Sequence, residues 1–222
     1  MKRILIIAPH PDDETLGCGG AILKHIDEGH KVDWLIATTN KSSPNITNEE
    51  IIKREKEIEE VSSRYSFSGV HNLELPTTLL DSIPKKEIID SLSSVINKVK
   101  PEIIYIPNRL DAHSDHQIIH DCSIACTKPF RYPFIKTVRV YQTLSETGFN
   151  LRLESLGFKP NLLIDISNYL DKKIEIMNLY VGETSKHPFP RSEDSIRAQG
   201  ILLGSMANCE YAEGFITLRE IQ

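Results

Sequence analysis

The sequence predicts an α/β fold with a mainly parallel sheet, helices on both faces and a metal site at the carboxyl ends of the strands. Three observations support this prediction. Short apolar runs rich in β-branched residues alternate with amphipathic stretches through the first half of the chain. Strands separated by helices favour parallel pairing with right-handed crossovers. Two clusters of His and Asp follow two of these strands, where open α/β sheets bind their ligands. The expected arrangement is Rossmann-like.

The first half of the chain contains four predicted strands and three predicted helices. Apolar runs indicate the strands, and apolar residues three or four positions apart indicate the helices. Gly29 and Pro101 end the first and third helices, since glycine favours a helix C-terminus and a residue before proline disfavours helix. In chain order the elements are strand 4–8, helix 21–26, strand 32–37, helix 48–65, strand 73–75, helix 85–100 and strand 103–106.

The second half has a weaker pattern, from which we predict strands at 138–141 and 162–166 and helices at 169–180 and 194–206. No internal repeat, low-complexity tract or linker interrupts the chain. One domain over residues 1–222 is therefore the simplest organisation.

Charge and length narrow the classes of partner. The 222 residues carry 26 basic and 31 acidic side chains, a net charge of −5, without a long Lys/Arg cluster. Nucleic acids and anionic membranes require a positive surface, so we expect neither as the main partner. The N-terminal apolar run is too short for a signal peptide or a membrane span, so no stable membrane insertion is expected. A small-molecule substrate is the expected partner, and a homo-oligomer is left open.

The four cysteines indicate a reducing compartment. Cys18, Cys122, Cys126 and Cys209 contain no CxxC pair, and the chain shows no export signal. Small buried thiols explain them better than a redox or metal site. We therefore expect a cytoplasmic protein.

Two polar clusters carry the predicted chemistry. Residues 10–14 (His-Pro-Asp-Asp-Glu) follow the first strand, and residues 113–116 (His-Ser-Asp-His) follow the strand at 103–106, after Asp111. A catalytic zinc needs three N/O ligands and an open position for water, which two such loops can supply. Solvated turns are the alternative, because His, Asp, Ser and Pro are common in turns. The repeated His and Asp at two strand ends favours the metal site.

These motifs resemble the LmbE-like (PIG-L) family of zinc-dependent N-acetylglucosamine deacetylases. The resemblance extends nearly to the C-terminus and implies a single LmbE-like (PIG-L) deacetylase domain. It departs from the family pattern at Ser114, Gln142 and Leu203, none of which is a proposed metal ligand. The matching segments are 8–14 (Ala-Pro-His-Pro-Asp-Asp-Glu), 17–20 (Gly-Cys-Gly-Gly), 113–116, 190–192 (Pro-Arg-Ser) and 211–215 (Tyr-Ala-Glu-Gly-Phe).

The resemblance implies a role for each residue of the two clusters. His10, Asp13 and His116 would be the metal ligands. Asp12 would be the general base for the attacking water and would return the proton to the leaving amine. The metal would be one Zn²⁺ per chain, although a His₂Asp site can also hold Fe²⁺, Co²⁺ or Mn²⁺.

The second cluster would also stabilise the transition state. By the same resemblance His113 donates a hydrogen bond to the developing oxyanion, and Asp115 holds its orientation.

Four further residues are candidates for contacting the substrate or for orienting the metal ligands. Arg54 resembles a substrate-contacting arginine, with a solvated helix face as the alternative, and Arg191 could reach a sugar hydroxyl or a phosphate. Glu14 and Asp111 would orient metal ligands from behind.

The glycines at 17, 19 and 20 require a separate interpretation. A dinucleotide GxGxxG loop fails because Ile22 occupies the third glycine position. We therefore expect these glycines to form a tight turn before the first helix.

The function that the resemblance implies is zinc-dependent hydrolysis of the N-acetyl amide of an N-acetylglucosamine-type sugar or its conjugate. Three alternatives stay open: an amidase for a larger acyl group or a sugar–thiol conjugate, a catalytically silent metal-carrying binding module, and a nucleotide-binding protein. The last is weakened because neither phosphate-binding glycine motif is present.

Overall fold

A computed structural model describes residues 1–41, 43, 45–151 and 157–222. Its strands are β1 (Arg3–Ala8), β2 (Lys31–Thr39), β3 (Gly69–Pro76), β4 (Ile103–Pro107), β5 (Thr137–Tyr141), β6 (Leu162–Asp165) and β7 (Ala212–Glu220). Its α-helices are α1 (Asp13–Asp27), α2 (Asn48–Tyr65), α3 (Lys85–Val99), α4 (Ser114–Ala125), α5 (Leu170–Met177) and α6 (Glu193–Ala207). Two short 3₁₀ turns lie at Leu80–Ser82 and Thr147–Phe149.

The strands form one seven-stranded sheet in the order β3-β2-β1-β4-β5-β7-β6. The first five strands of this order are parallel, and β7 runs antiparallel to both β5 and β6. The predicted α/β fold with a mainly parallel sheet is therefore confirmed.

Two cores cover the two faces of the sheet. Along β1, Ile4, Ile6 and Ala8 face the core that contains α1 and α5, while Leu5 and Ile7 face the core that contains α3 and α4. Successive side chains of a strand point to opposite faces. A central strand buried on both faces must therefore be apolar throughout, which explains the continuous run that made β1 predictable.

The position of the polar clusters follows from strand pairing. β1 and β4 are parallel neighbours, with Ile4 opposite Ile103. The segments that leave their carboxyl ends therefore emerge side by side at one edge of the sheet. These segments carry residues 10–14 and 111–116.

Helix α1 begins earlier than the sequence predicts, at Asp13, so the tight turn predicted for the glycines is wrong. The three glycines lie within the helix instead. Glycine is needed at these positions because side chains from other elements pack directly against the helix backbone. A Cβ on Gly17 would lie 2.2 Å from the Tyr141 ring, and one on Gly20 would lie 2.6 Å from Ile166.

A buried ion pair bonds to the middle of α1. Lys173 of α5 and Glu213 of β7 are 2.7 Å apart, and Lys173 also donates to the carbonyl of Leu16. Glu213 accepts hydrogen bonds from the backbone amides of Gly20 and Ala21, at 2.9 and 2.8 Å. The missing side chains of the glycines give these groups access to the helix backbone.

Helix α4 and strand β7 were not predicted. The buried side of α4 includes Asp115, His116, His120 and Ser123, so it lacks the apolar periodicity that marks an ordinary amphipathic helix. The structure places the second cluster at the first turn of this helix rather than in an irregular loop.

The cysteines and the helices bear on two expectations, that the thiols are reduced and that the chain does not insert into a membrane. All four cysteines lie among the described residues and form no disulfide. Within the described part of the chain, no helix combines the length and apolar character needed to cross a bilayer.

We expect Gly17→Ala to lower the free energy of unfolding by about 1–3 kcal/mol, because the added methyl overlaps a fully buried aromatic ring. Urea denaturation followed by circular dichroism measures this change.

Gly200→Ala in α6 is the matched control. Its added methyl would lie 3.4 Å from Tyr211, an ordinary contact, and alanine favours helix over glycine. We expect its stability to stay the same or to rise by up to about 1 kcal/mol. Equal stability of the two variants would contradict the packing role of Gly17.

Candidate metal centre and active site

The first cluster is held at the junction of β1 and α1. Asp12 precedes the helix with φ 151° and ψ −27°, a conformation that L-residues rarely adopt. Its backbone amide donates to Glu14 Oε2 at 3.1 Å, and its carbonyl accepts from the amide of Leu16 at 2.9 Å. The strained backbone is thus fixed on both sides, and Asp12 and Asp13 both line the same cavity.

The structure brings together the three predicted metal ligands. Asp13 Oδ2 lies 3.3 Å from His10 Nδ1 and 3.2 Å from His116 Nε2. One ligand atom from each residue lies within 4.8 Å of the others. Asp13 and His116 are buried, whereas the His10 side chain is 21% exposed.

Both histidines have a carboxylate on their other ring nitrogen. His116 Nδ1 is 2.8 Å from Asp111 Oδ2, and His10 Nε2 is 3.1 Å from Asp115 Oδ2. Carboxylates placed in this way fix the tautomer and orientation of metal-binding histidines. Asp111 therefore lies where it was predicted, behind His116, which is a proposed metal ligand. The carboxylate of Asp115 contacts His10, with its Oδ2 3.9 Å from His113 Nδ1, and Asp115 holds the His113 ring through its backbone amide instead.

A second group of possible ligands shares His10. Its members are His10, His113 and Asp115, and one ligand atom from each lies within 4.8 Å of the other two. In this group, however, Asp115 Oδ2 already accepts from the amide of Thr78 at 2.8 Å, and His113 Nδ1 accepts from the backbone amide of Asp115 at 3.1 Å. The group with Asp13 and His116 is the better metal site, because both of its histidines have an outer carboxylate.

The carboxylates and imidazoles of the site shift each other's pKa values. Burial lowers the pKa of His10, but hydrogen bonds to Asp115 and Asp13 outweigh it and raise the value to about 9. Burial would raise the pKa of Asp13, yet the charge of His116 and hydrogen bonds to His10 and His116 hold it well below its usual range. Asp13 is therefore ionised, and its Oδ2 lies between the two imidazole rings. Two imidazoles and a carboxylate are a donor set that fits a divalent metal.

The Asp12 carboxylate lines the cavity. Among the residues that the structure describes, none donates a hydrogen bond to it, although Asp12 is only 7% exposed. Burial, followed by the charges of Asp13 and Glu183, raises its pKa well above the ordinary value. A raised pKa makes this carboxylate a stronger proton acceptor than an exposed aspartate.

His113 is positioned to donate a hydrogen bond. It is the N-cap of α4, and its Nδ1 accepts from the backbone amide of Asp115. Its own amide donates to Glu146 Oε2 at 3.0 Å. Burial and the neighbouring His10 lower the pKa of His113, so the ring is neutral at pH 7. Since Nδ1 is an acceptor, the proton of the neutral ring is on Nε2.

A cavity of about 290 Å³ lies above these groups. Arg54 and Arg191 reach its wall, but their guanidinium groups are engaged. Both bond to Glu183, which lies between them; the distance from Arg191 Nη2 to Glu183 Oε2 is 2.9 Å. Arg191 also donates to Ser145 at 3.2 Å. The two arginines brace the wall, and their direct contact with substrate stays a prediction.

Glu14 is fully buried and does not touch a predicted metal ligand. Its carboxylate accepts from Thr15, Tyr180 and the amide of Asp12. Burial raises its pKa to about 7. The contact it makes is with the backbone of Asp12, so it supports the strained turn.

Sequence reasoning missed Glu146, Glu183 and Ser145. All three lie in connecting segments of the second half, where neither strand periodicity nor a motif marks them. The spacing of eight residues between Glu183 and Arg191 was the available sign of their pairing, and it is a weak one.

Comparison with known proteins gives a consistent result. The model of the PIG-L family, described as GlcNAc-PI de-N-acetylase, matches residues 5–127. This segment contains both polar clusters. The chain is 25% identical over 225 residues to diacetylchitobiose deacetylase of Thermococcus kodakarensis, covering 96% of this chain and 82% of that relative.

Solved structures share the fold. N,N'-diacetylchitobiose deacetylase of Pyrococcus horikoshii gives a TM-score of 0.78 at 21% identity, covering 98% of this chain and 84% of that chain. GalB, the 4-carboxy-2-hydroxymuconate hydratase of Pseudomonas putida KT2440, gives a TM-score of 0.76 at 16% identity, covering 100% and 98%. Because the same fold serves a deacetylase and a hydratase, the reaction must be argued from the site residues.

We expect Asp111→Asn to weaken divalent metal binding by about 10- to 100-fold, because the carboxylate that orients His116 is lost. Competition with a chromophoric chelator on the purified protein measures the affinity.

Asp121→Asn is the control on the same segment. Asp121 bonds to Arg109 and Lys85, away from the metal ligands, so its loss should leave the affinity unchanged. Equal affinity of the wild type and Asp111→Asn would contradict the role of Asp111.

Proposed function

This chain belongs to the PIG-L family, and from that premise we propose that it is a metal-dependent N-deacetylase. It hydrolyses the N-acetyl amide of an N-acetylglucosamine-type sugar or its conjugate and releases acetate and a free amine. One observation carries the proposal: the Asp12 carboxylate faces the cavity beside the grouped donors of His10, Asp13 and His116, with no partner among the described residues. That arrangement provides a proton acceptor next to a metal site.

We propose Zn²⁺, one per chain, held by His10, Asp13 and His116, with Fe²⁺, Co²⁺ or Mn²⁺ as substitutes that the same donors accept. A metal ion there supplies Lewis-acid polarisation of the amide carbonyl and lowers the pKa of water.

Asp12 moves the proton in this proposal. It takes a proton from the attacking water, helped by the raised pKa of its carboxyl group, and returns that proton to the nitrogen of the leaving amine. The rigid turn around Asp12 holds the carboxylate in place through both transfers.

His113 stabilises the charge that develops on the carbonyl oxygen. Its neutral ring carries the hydrogen on Nε2, the nitrogen that does not bond to the Asp115 amide. A donor fixed in this way stabilises an oxyanion without reorganisation.

The substrate is a small amino sugar, which fits the volume of the metal-site cavity. An amidase for larger acyl groups is the rival within the same chemistry, and release of acetate compared with longer acids discriminates between them. We also propose a cytoplasmic location, in which Cys18, Cys122 and Cys126 are buried thiols.

We expect Asp12→Asn to bind metal normally but to release acetate from N-acetylglucosamine derivatives about 10²- to 10⁴-fold more slowly, because the general base is lost. Acetate is measured with metal-stripped and zinc-reconstituted protein. A variant with near wild-type turnover would disprove the assigned base, and acetate release independent of metal would disprove the mechanism.

His113→Ala tests the oxyanion contact separately. We expect kcat to fall by about 10²- to 10³-fold while the bound metal, measured by atomic absorption, stays at the wild-type level. Loss of metal in this variant would instead make His113 a ligand, as in the second donor group.

A further inference from the structure

A second cavity adjoins the metal-site cavity. It has a volume of about 430 Å³ and lies between α2 and the strands β2 and β3. The two cavities share wall residues, namely Thr38, Thr39, Asn40, Arg54 and Ile58. A ligand whose reacting group sits at the metal site can therefore extend into the second cavity. We call this second cavity the α2 groove.

The walls of the α2 groove are largely apolar. Ile36 and Val70 contribute from β2 and β3, and Ile51 and Ile58 contribute from α2. Aromatic side chains, on which sugar rings often stack, are missing from the described residues that line it. The groove thus suits an aliphatic or aromatic group better than a second sugar.

The charges around the α2 groove disfavour an anion. Lys41 lies 2.9 Å from Glu55 and 2.8 Å from Glu74, so two carboxylates neutralise it. Arg54 is paired with Glu57 and Glu183. Glu59 adds a further negative charge to the lining. A phosphate or pyrophosphate placed here would meet a net negative surface without an unengaged cation from the described lining residues.

We propose that the α2 groove binds the aglycone of the substrate, and that this aglycone is uncharged and apolar, such as an alkyl or aryl group. The proposal rests on the deacetylase function above, because it places the N-acetylglucosamine ring at the metal site. It commits to an apolar glycoside rather than a nucleotide sugar or another phosphate conjugate.

A panel of four compounds tests the proposal by kcat/KM. The compounds are N-acetylglucosamine, its hexyl glycoside, a glycoside with an oligoether chain of equal length, and UDP-N-acetylglucosamine. Each buried methylene group is worth about fourfold in affinity, so burial of two gives about 16-fold. We expect the hexyl glycoside to exceed each of the other three by at least about tenfold. Equal values for the hexyl and oligoether glycosides, or a preference for the nucleotide sugar, would overturn the proposal.

Two adjacent residues of α2 provide a matched pair of variants. Ile51 lines the α2 groove, whereas Ile52 is 51% exposed and lies outside it. We expect Ile51→Gln to reduce the ratio of kcat/KM for the hexyl glycoside over free sugar by several-fold, and Ile52→Gln to leave that ratio unchanged. The same ratio in both variants would also overturn the proposal.

Calorimetric binding of hexyl β-D-glucoside, below its micelle concentration, separates this proposal from the deacetylase function. The compound has no amide, so its binding does not depend on turnover. If no panel member yields acetate but the glucoside binds wild type and Ile52→Gln more tightly than Ile51→Gln, the deacetylase function fails and the groove assignment stands. If acetate is released but the glucoside binds all three proteins equally or not at all, the groove assignment fails.

Discussion

The parallel pairing of β1 with β4 is the constraint on which the site depends. It brings the segment after Ala8 next to the segment after Pro107, so His10 and Asp115 meet although 105 positions separate them. The pairing is maintained by apolar packing on both faces of β1, far more than by the polar contacts at its end. The core of the fold thus determines the spacing of the polar groups at the proposed active site.

Around that junction, buried charge is arranged in two layers. The inner layer is Asp13 with the two histidines, and the outer layer is Asp111 and Asp115. Outer carboxylates bond to the inner imidazoles, and the backbone amide of Thr78 anchors Asp115 in turn. Each polar group is therefore oriented by another one behind it, which keeps the donor atoms in place before any ligand binds.

Local pattern explains what the sequence could predict. Continuous apolar runs predicted β1 and β4, and residue type with spacing predicted a metal site formed by the two polar clusters. The choice of His10, Asp13 and His116 came from the family resemblance, and the structure brings these three residues together. The glycines of α1 were misread because their cause is tertiary: the side chains that pack on them are far away in the chain. Glu183 was missed for the same reason, since its partners are two arginines on different segments.

The ion pair that bonds to the middle of α1 limits which fragments of this protein can keep the structure of the site. Lys173 and Glu213 lie outside residues 5–127, the part that the family model matches. A fragment limited to that part would keep every proposed metal ligand, yet it would lose the hydrogen bonds to two amides and a carbonyl of α1 and the side chains of α5 and β7 that cover this face of the helix. The proposed metal site is therefore not a transplantable module, and a minimal design based on it must retain α5 and β7.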